Sequence, residues 1–175
     1  DSDCSRFLYP TDDDDAVVDN VGVDYKKMYA AKGNKKIWIS KFREFLSYNA
    51  GARFAAGGVL SAPCIGLLNL RNIQMNLNGQ SGIGKSAAVK FAMSIFGDPS
   101  QLRNVFNSTS NAVNMRAATF RDLPFWVDEF QSASEKIREN MDGIIYNFEN
   151  GITKDRLNRS GGLGDRKAIR GTMIS

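Results

Sequence analysis

The stretch Arg71-Asn72-Ile73-Gln74-Met75-Asn76-Leu77-Asn78-Gly79-Gln80-Ser81-Gly82-Ile83-Gly84-Lys85-Ser86 decides how this chain reads. Ile73, Met75 and Leu77 alternate with polar residues, the period of a β-strand. Gly79 ends that pattern, and Gly79–Ser86 matches G-x-x-x-x-G-K-[ST], the phosphate-binding loop (P-loop, or Walker A motif). Glycines let successive backbone N–H groups converge on phosphate oxygens, and the helix that follows directs its positive end at the same anion. From Ser86 to Phe96 that helix is predicted, with Ala88, Phe91, Ala92, Ile95 and Phe96 on one face and Gly97 and Pro99 stopping it. Strand, loop and helix are the context the motif requires. Gly79, Gln80, Ser81, Gly82, Ile83, Gly84, Lys85 and Ser86 are therefore expected to surround the phosphates of ATP. Lys85 would neutralise the β- and γ-phosphates, and the Ser86 hydroxyl would ligate Mg²⁺. The other reading of the same residues is a glycine-rich strand–helix turn that holds no nucleotide.

Forty-two residues beyond Ser86, the apolar run Leu123-Pro124-Phe125-Trp126-Val127 ends in Asp128-Glu129. A buried strand that delivers two acids at its end fits the Walker B position. Asp128 would reach Mg²⁺, and Glu129 would polarise a water for in-line attack on the γ-phosphate. A solvated strand end is the alternative for the same two acids.

Around these motifs, Trp38, Phe42, Phe45 and Leu46 fall at i, i+4, i+7 and i+8, so a helix is predicted from Lys35. A second begins near Ala50 and is expected to break around Pro63. A short strand is predicted at 104–107, and Ser110 is placed to cap a helix from Asn111 to about Phe120. Ser132-Ala133-Ser134-Glu135 is a capping box opening the clearest helix, with Ile137, Met141, Ile144, Ile145 and Phe148 on one face. Thr172-Met173-Ile174-Ser175 begins a further strand.

Composition narrows the chemistry. The 175 residues include no histidine, which excludes Ser-His and Cys-His nucleophile pairs and histidine-containing zinc sites. The net charge of +4 hides an asymmetry: residues 1–24 carry −7 and the remainder +11. The Asp12–Asp15 run repels itself, and residues 1–34 are expected to form an irregular acidic lead-in to an ATPase domain over 35–175. Two cysteines, Cys4 and Cys64, form no C-x-x-C pair, which fits a reduced cytoplasmic location. The chain begins with Asp rather than Met, as a processed product or fragment would, and no signal peptide is legible. Phe54–Leu70 carries no charge. It is short for a membrane span and interrupted by glycines and Pro63, so it reads as buried core, with no membrane expected.

The chain from Lys35 to Ser175 resembles the ATPase core of the mobile-element helicases (phage, plasmid and chromosomal-cassette) known as the domain-of-unknown-function 927 family. The resemblance rests on Gly79–Ser86, Phe96-Gly97-Asp98-Pro99 and Asn107-Ser108-Thr109-Ser110-Asn111-Ala112. It continues through Trp126-Val127-Asp128-Glu129-Phe130, Ile145-Tyr146 and Asn150-Gly151-Ile152-Thr153-Lys154-Asp155-Arg156. It implies an AAA+ ATPase similar to MCM replicative helicases, acting in DNA replication. It further implies a homo-oligomeric ring, usually a hexamer, whose site a neighbour's arginine completes. Asn107, Ser108 or Thr109 would hold Glu129 inactive until DNA engages. The family's polar sensor would lie at or just past Ser175, so the chain reads as C-terminally cut. The segment before the last strand, with Lys154, Arg156, Arg159, Arg166, Lys167 and Arg170 around Ser160-Gly161-Gly162-Leu163-Gly164, would be a basic hairpin facing DNA in the ring channel; an arginine turned to a neighbour's nucleotide and a solvated hairpin are the other readings.

The expected fold is thus an α/β P-loop NTPase of AAA+ type: a mostly parallel sheet sandwiched by helices, with N-terminal helices and a basic hairpin before the fourth strand. The expected activity is ATP hydrolysis with Mg²⁺ that drives DNA unwinding or translocation. A non-catalytic, nucleotide-dependent DNA-binding or assembly module is the alternative, and a P-loop phosphotransferase is a third reading.

Overall fold

In the computed structural model, residues 25–105, 110–128, 135–153 and 167–175 are described. They form α1 (Tyr25–Tyr29), α2 (Lys35–Tyr48), α3 (Ala50–Leu67), β1 (Ile73–Met75), α4 (Lys85–Met93) and α5 (Pro99–Leu102). These are followed by β2 (Arg103–Val105), α6 (Ser110–Thr119), β3 (Phe125–Asp128), α7 (Glu135–Glu149) and β4 (Thr172–Ile174). The chain divides into two compact units. One comprises Asp1–Gly57 with Gly79–Arg103, the other Gly58–Asn78 with Asn104–Ser175.

The second unit is built on the sheet, whose strand order is β1-β4-β3-β2. β4 pairs in parallel with β1 on one side and β3 on the other. The last strand in sequence thus lies between the strand that leads into the glycine loop and the strand that ends at Asp128. Burial on both faces explains the continuous apolar character of β3 and β4: Phe125, Trp126, Val127, Met173 and Ile174 are all buried. Against this sheet lies the later part of α3, whose Ser61 hydroxyl shares a 2.7 Å hydrogen bond with the fully buried Thr172 hydroxyl. The approach is close at Gly58, where a Cβ would come within 2.2 Å of the end of the Met75 side chain.

Pro63 does not break α3, contrary to the sequence expectation. The helix runs through it to Leu67 and turns out only at Asn69, which adopts the left-handed conformation at φ 50°. Proline removes the donor that would bond the carbonyl four residues earlier. Here Val59, Ala62 and Ile65 are fully buried on one face, which fixes the helix path across the proline. The Ser61 hydroxyl donates to Gly58 O and the Cys64 thiol to Leu60 O, satisfying neighbouring carbonyls. Cys64 is an exposed free thiol, and Cys4 lies outside the described residues. By length and composition α3 is apolar enough to cross a membrane, with a third of that stretch buried in protein.

The first unit gathers α1, α2 and α4. Within residues 1–34, expected to be irregular, Tyr25–Tyr29 is helical and Met28 and Tyr29 are buried. Gly97 is pressed on that segment, since a Cβ there would meet Met28 O at 2.2 Å. Asn34 caps α2, accepting from the N–H groups of Lys36 and Ile37. No residue of α2 is fully buried. Aromatic contacts tie its inner face instead: Trp38 stacks on Phe42 at 4.8 Å, and Phe42 and Phe45 meet Phe91 of α4 at 5.8 and 4.9 Å. Such pairs add about 0.5–1.5 kcal/mol each beyond area burial. The Trp38 indole N–H donates to Ser94 Oγ at 2.9 Å. α4 ends at Met93 rather than Phe96, because residues 94–96 tighten into i→i−3 bonds. Asp98 then caps the short α5, which the sequence pattern did not suggest.

Candidate functional site

The glycine loop turns through two left-handed positions just before α4. Gly82 and Gly84 have φ of 84° and 89°, the left-handed region that a side chain resists. A Cβ at either would meet nothing within 4 Å, so backbone geometry rather than crowding is what calls for glycine. Gly84 is the N-cap of α4, with no side chain closing the helix end and no acid in the first turn. The leading N–H groups of α4 are therefore not capped by a side chain from Gly84, and the helix dipole favours an anion there.

Lys85 sits inside this loop. Its Nζ donates to Gly79 O at 2.6 Å and Gln80 O at 2.7 Å, folding the ammonium back over the loop's first turn. An ammonium has three donors, so these two bonds fix its position and leave capacity for a further acceptor. Residues 79–84 and Ser86 are exposed, and Lys85 is half-buried. The eight residues expected around phosphate thus form one continuous loop and helix start, with the lysine held at its base.

In the other unit, the carboxyl edge of the sheet presents Asp128. Trp126 is level with Ile174, and Met75 with Ile174 on the other side. The ladder extends past the strands, with Ser175 N donating to Met75 O and Leu77 N to Ser175 O, both at 2.9 Å. Asp128 therefore projects one position beyond Ser175 at the edge from which Asn78 leaves toward the glycine loop. Carboxyl ends of parallel strands are where open α/β sheets bind ligands. The buried run before Asp128 holds its backbone, while the residue itself is half-buried.

The base of the expected basic hairpin is formed. Ile152 and Ala168 make an antiparallel bridge, Thr153 N donates to Lys167 O, and Lys167 N donates to the Thr153 hydroxyl. The chain thus leaves after Thr153 and returns at Lys167 in antiparallel fashion. Lys154, Arg156, Arg159 and Arg166 lie outside the described residues, as do Glu129, Asn107, Ser108, Thr109 and the capping-box residues Ser132–Ser134.

Two polar residues that the sequence did not single out organise the surroundings. Buried Asn104 on β2 donates to Trp126 O on β3 at 3.1 Å and accepts from the Arg116 guanidinium at 3.3 Å. Asn72 joins the approach to β1 to two other segments, the end of α7 and the stretch 169–171. Neither residue sits in a pattern that announces it, because a buried polar role depends on partners remote in sequence.

The family model described as "Domain of unknown function (DUF927)" matches residues 6–168. No curated protein matches the chain. Among solved structures, the chain is similar to one titled "SCCmec type IV Cch - active helicase", at a TM-score of 0.64 and 20% sequence identity. That likeness covers 86% of this chain and 28% of the helicase, so the chain spans little more than a quarter of its length. At this identity the match shows a shared fold: a mostly parallel α/β sheet with helices, of the kind a helicase carries.

Proposed function

We propose that this chain, which belongs to the DUF927 family, is an ATP-binding and ATP-hydrolysing unit of a mobile-element DNA helicase or translocase, of AAA+ type. The observation that carries the reading is the loop Gly79–Ser86, with left-handed Gly82 and Gly84 at the start of α4 and Lys85 held on its own loop carbonyls. The order β1-β4-β3 and the place of Asp128 at the carboxyl edge support it. The fold shared with a helicase and the family membership point to DNA as the polymer.

ATP and Mg²⁺ fit the residues present. Among the described residues no three His, Cys, Asp or Glu side chains gather into a metal cage. Mg²⁺ needs none: it keeps several waters and is bound through one or two carboxylates plus nucleotide phosphates. Ser86 and Asp128 would hold it, and it would neutralise charge developing on the transferred phosphoryl group. Backbone N–H groups of Gly82–Ser86 and the Lys85 ammonium would bind and orient the phosphates. Glu129 would take the proton of the attacking water. No histidine is required. The ring, the trans arginine and DNA contact by Lys154, Arg156, Arg159, Arg166 and Lys167 belong to the same proposal.

Phosphate release with and without single-stranded DNA tests it. Lys85→Ala should weaken nucleotide binding at least about tenfold, the loss of one charge-assisted contact. Glu129→Gln should keep nucleotide binding and lose turnover by about 100-fold or more. Nucleotide binding with no turnover in the parent chain would favour the non-catalytic assembly module. Unchanged turnover in Glu129→Gln would remove that residue as the base.

A further inference from the structure

The first unit is basic over its described residues, although residues 1–24, which belong to it, carry −7. Over residues 25–57 and 79–103 it holds eleven lysines and arginines against two acids, Glu44 and Asp98. Both acids are engaged by lysine: Glu44 by Lys41 at 2.8 Å and Asp98 by Lys32 at 3.3 Å.

Much of that charge lies on α2, whose inner face is taken by Trp38, Phe42 and Phe45. At 3.6 residues per turn, Lys36, Ser40, Arg43 and Ser47 form one row on the outer side, all exposed. Ile37, Lys41, Glu44 and Tyr48 form the adjacent row, with Ile37 63% and Tyr48 72% exposed and Glu44 lying between Lys41 and Tyr48. Where α2 ends, Arg53 of α3 donates to Leu46 O at 3.1 Å, which brings a further cation to the Tyr48 end. The outer surface of α2 therefore offers cations at both ends and in the middle, hydroxyls between them, and an uncovered aromatic ring beside them.

We infer that this face of α2 is a sequence-independent docking surface for a single-stranded nucleic acid. Lys36, Arg43 and Arg53 take the phosphates, and Tyr48 offers a ring for base stacking. This is the combination that single-strand binders use, a cationic track with an aromatic platform. Charge complementarity carries the choice of a polyanion, and the exposed ring favours unpaired bases over a duplex. Ile37 and Tyr48 have no covering element among the described residues, and the one acid of α2, Glu44, is paired with Lys41. The inference rests on the proposed function only in the choice of DNA as the polymer, and it names residues other than those of the basic stretch before β4.

The test is fluorescence anisotropy of a labelled oligothymidylate with the full chain across a potassium chloride series. Lys36→Glu with Arg43→Glu should lower the salt slope by about 1.4, two contacts at about 0.7 each. Affinity at low salt should fall at least about tenfold. Tyr48→Ala should weaken single-stranded DNA more than duplex. Far-UV circular dichroism checks folding; if the reversed pair misfolds, Lys36→Gln with Arg43→Gln is read on the same slope. An unchanged slope, or no oligonucleotide binding by the parent chain, overturns the inference. Binding of a fluorescent ATP analogue, measured in parallel, separates the two readings. Loss of DNA binding with nucleotide binding intact leaves the glycine-loop assignment standing. DNA binding without nucleotide binding does the reverse.

Discussion

Arg170 and Asp122 form a two-pronged ion pair beside the amino edge of the sheet: Nη2 donates to Oδ2 at 2.6 Å, and Nε donates to Oδ1. The backbones join as well, with Asp122 N donating to Arg170 O at 2.7 Å. One residue precedes β4 and the other β3, so the pair clamps the entries of the two strands that carry Ser175 and Asp128 to the opposite edge. Gly66 of α3 makes room for it. A Cβ there would lie 2.6 Å from Asp122 Oδ1 and 2.8 Å from the guanidinium.

Because the atoms crowding Gly66 are side-chain ends, alanine there should displace the ion pair rather than the backbone. Gly66→Ala and Asp122→Ala are each expected to cost about 1–2 kcal/mol, the worth of charge-assisted bonds discounted for partial solvent exposure. The double variant should cost little more than either one, since both remove the same pair. Urea denaturation of the four proteins checks this, and full additivity would refute the link.

Asn72 uses its whole amide. Nδ2 donates to Phe148 O at 2.6 Å and Ile169 O at 3.0 Å, while Oδ1 accepts from Gly171 N at 2.9 Å. It ties the approach to β1 to the end of α7 and to both sides of Arg170. Asn72→Ala should cost about 2–3 kcal/mol, three bonds at about 1 kcal/mol each. Asn72→Asp should be no better, because it turns a donor toward two carbonyls into a third acceptor. A urea midpoint within error of the parent protein for either variant would deny the network this role.

The Asp98 carboxyl is held below the usual carboxylate range by the Ser100 hydroxyl and backbone N–H, with Lys32 adding to them. A folded-state pKa below the unfolded value means the contribution is complete above the unfolded value of about 3.9. It is lost as pH falls through the lower folded value. Asp98→Ala should therefore cost about 1 kcal/mol at pH 7, a lost helix cap. The gap from the parent should narrow below about pH 4. Chemical denaturation from pH 7 to 3 measures it, and a gap constant throughout would rule out the ionised cap.

The glycine loop was legible because its requirements are local. Left-handed backbone at Gly82 and Gly84 and a lysine at the helix start depend on neighbours in the chain. The apolar run into Asp128 was legible for the same reason: a strand buried on both faces has a composition that shows in five residues. The same logic misjudged Pro63, whose local cost is real. Full burial of Val59, Ala62 and Ile65 on one face of the helix outweighs it.

By itself, the sequence determined a strand, a glycine-rich loop and a helix in order, an acid at the end of a later strand, and a basic stretch before the last one. Each of these is a statement about residues within a few positions of one another. Only the tertiary structure decided that β4 lies between β1 and β3, which brings Ser175 and Asp128 to one edge. Alternation gives a strand's faces but not its neighbours. Tertiary packing also assigned Asn72, Asp122 and Gly66 their work, and it turned the aromatic face of α2 inward, leaving its cations outside. Those outcomes depend on contacts between residues tens of positions apart, which no local period encodes.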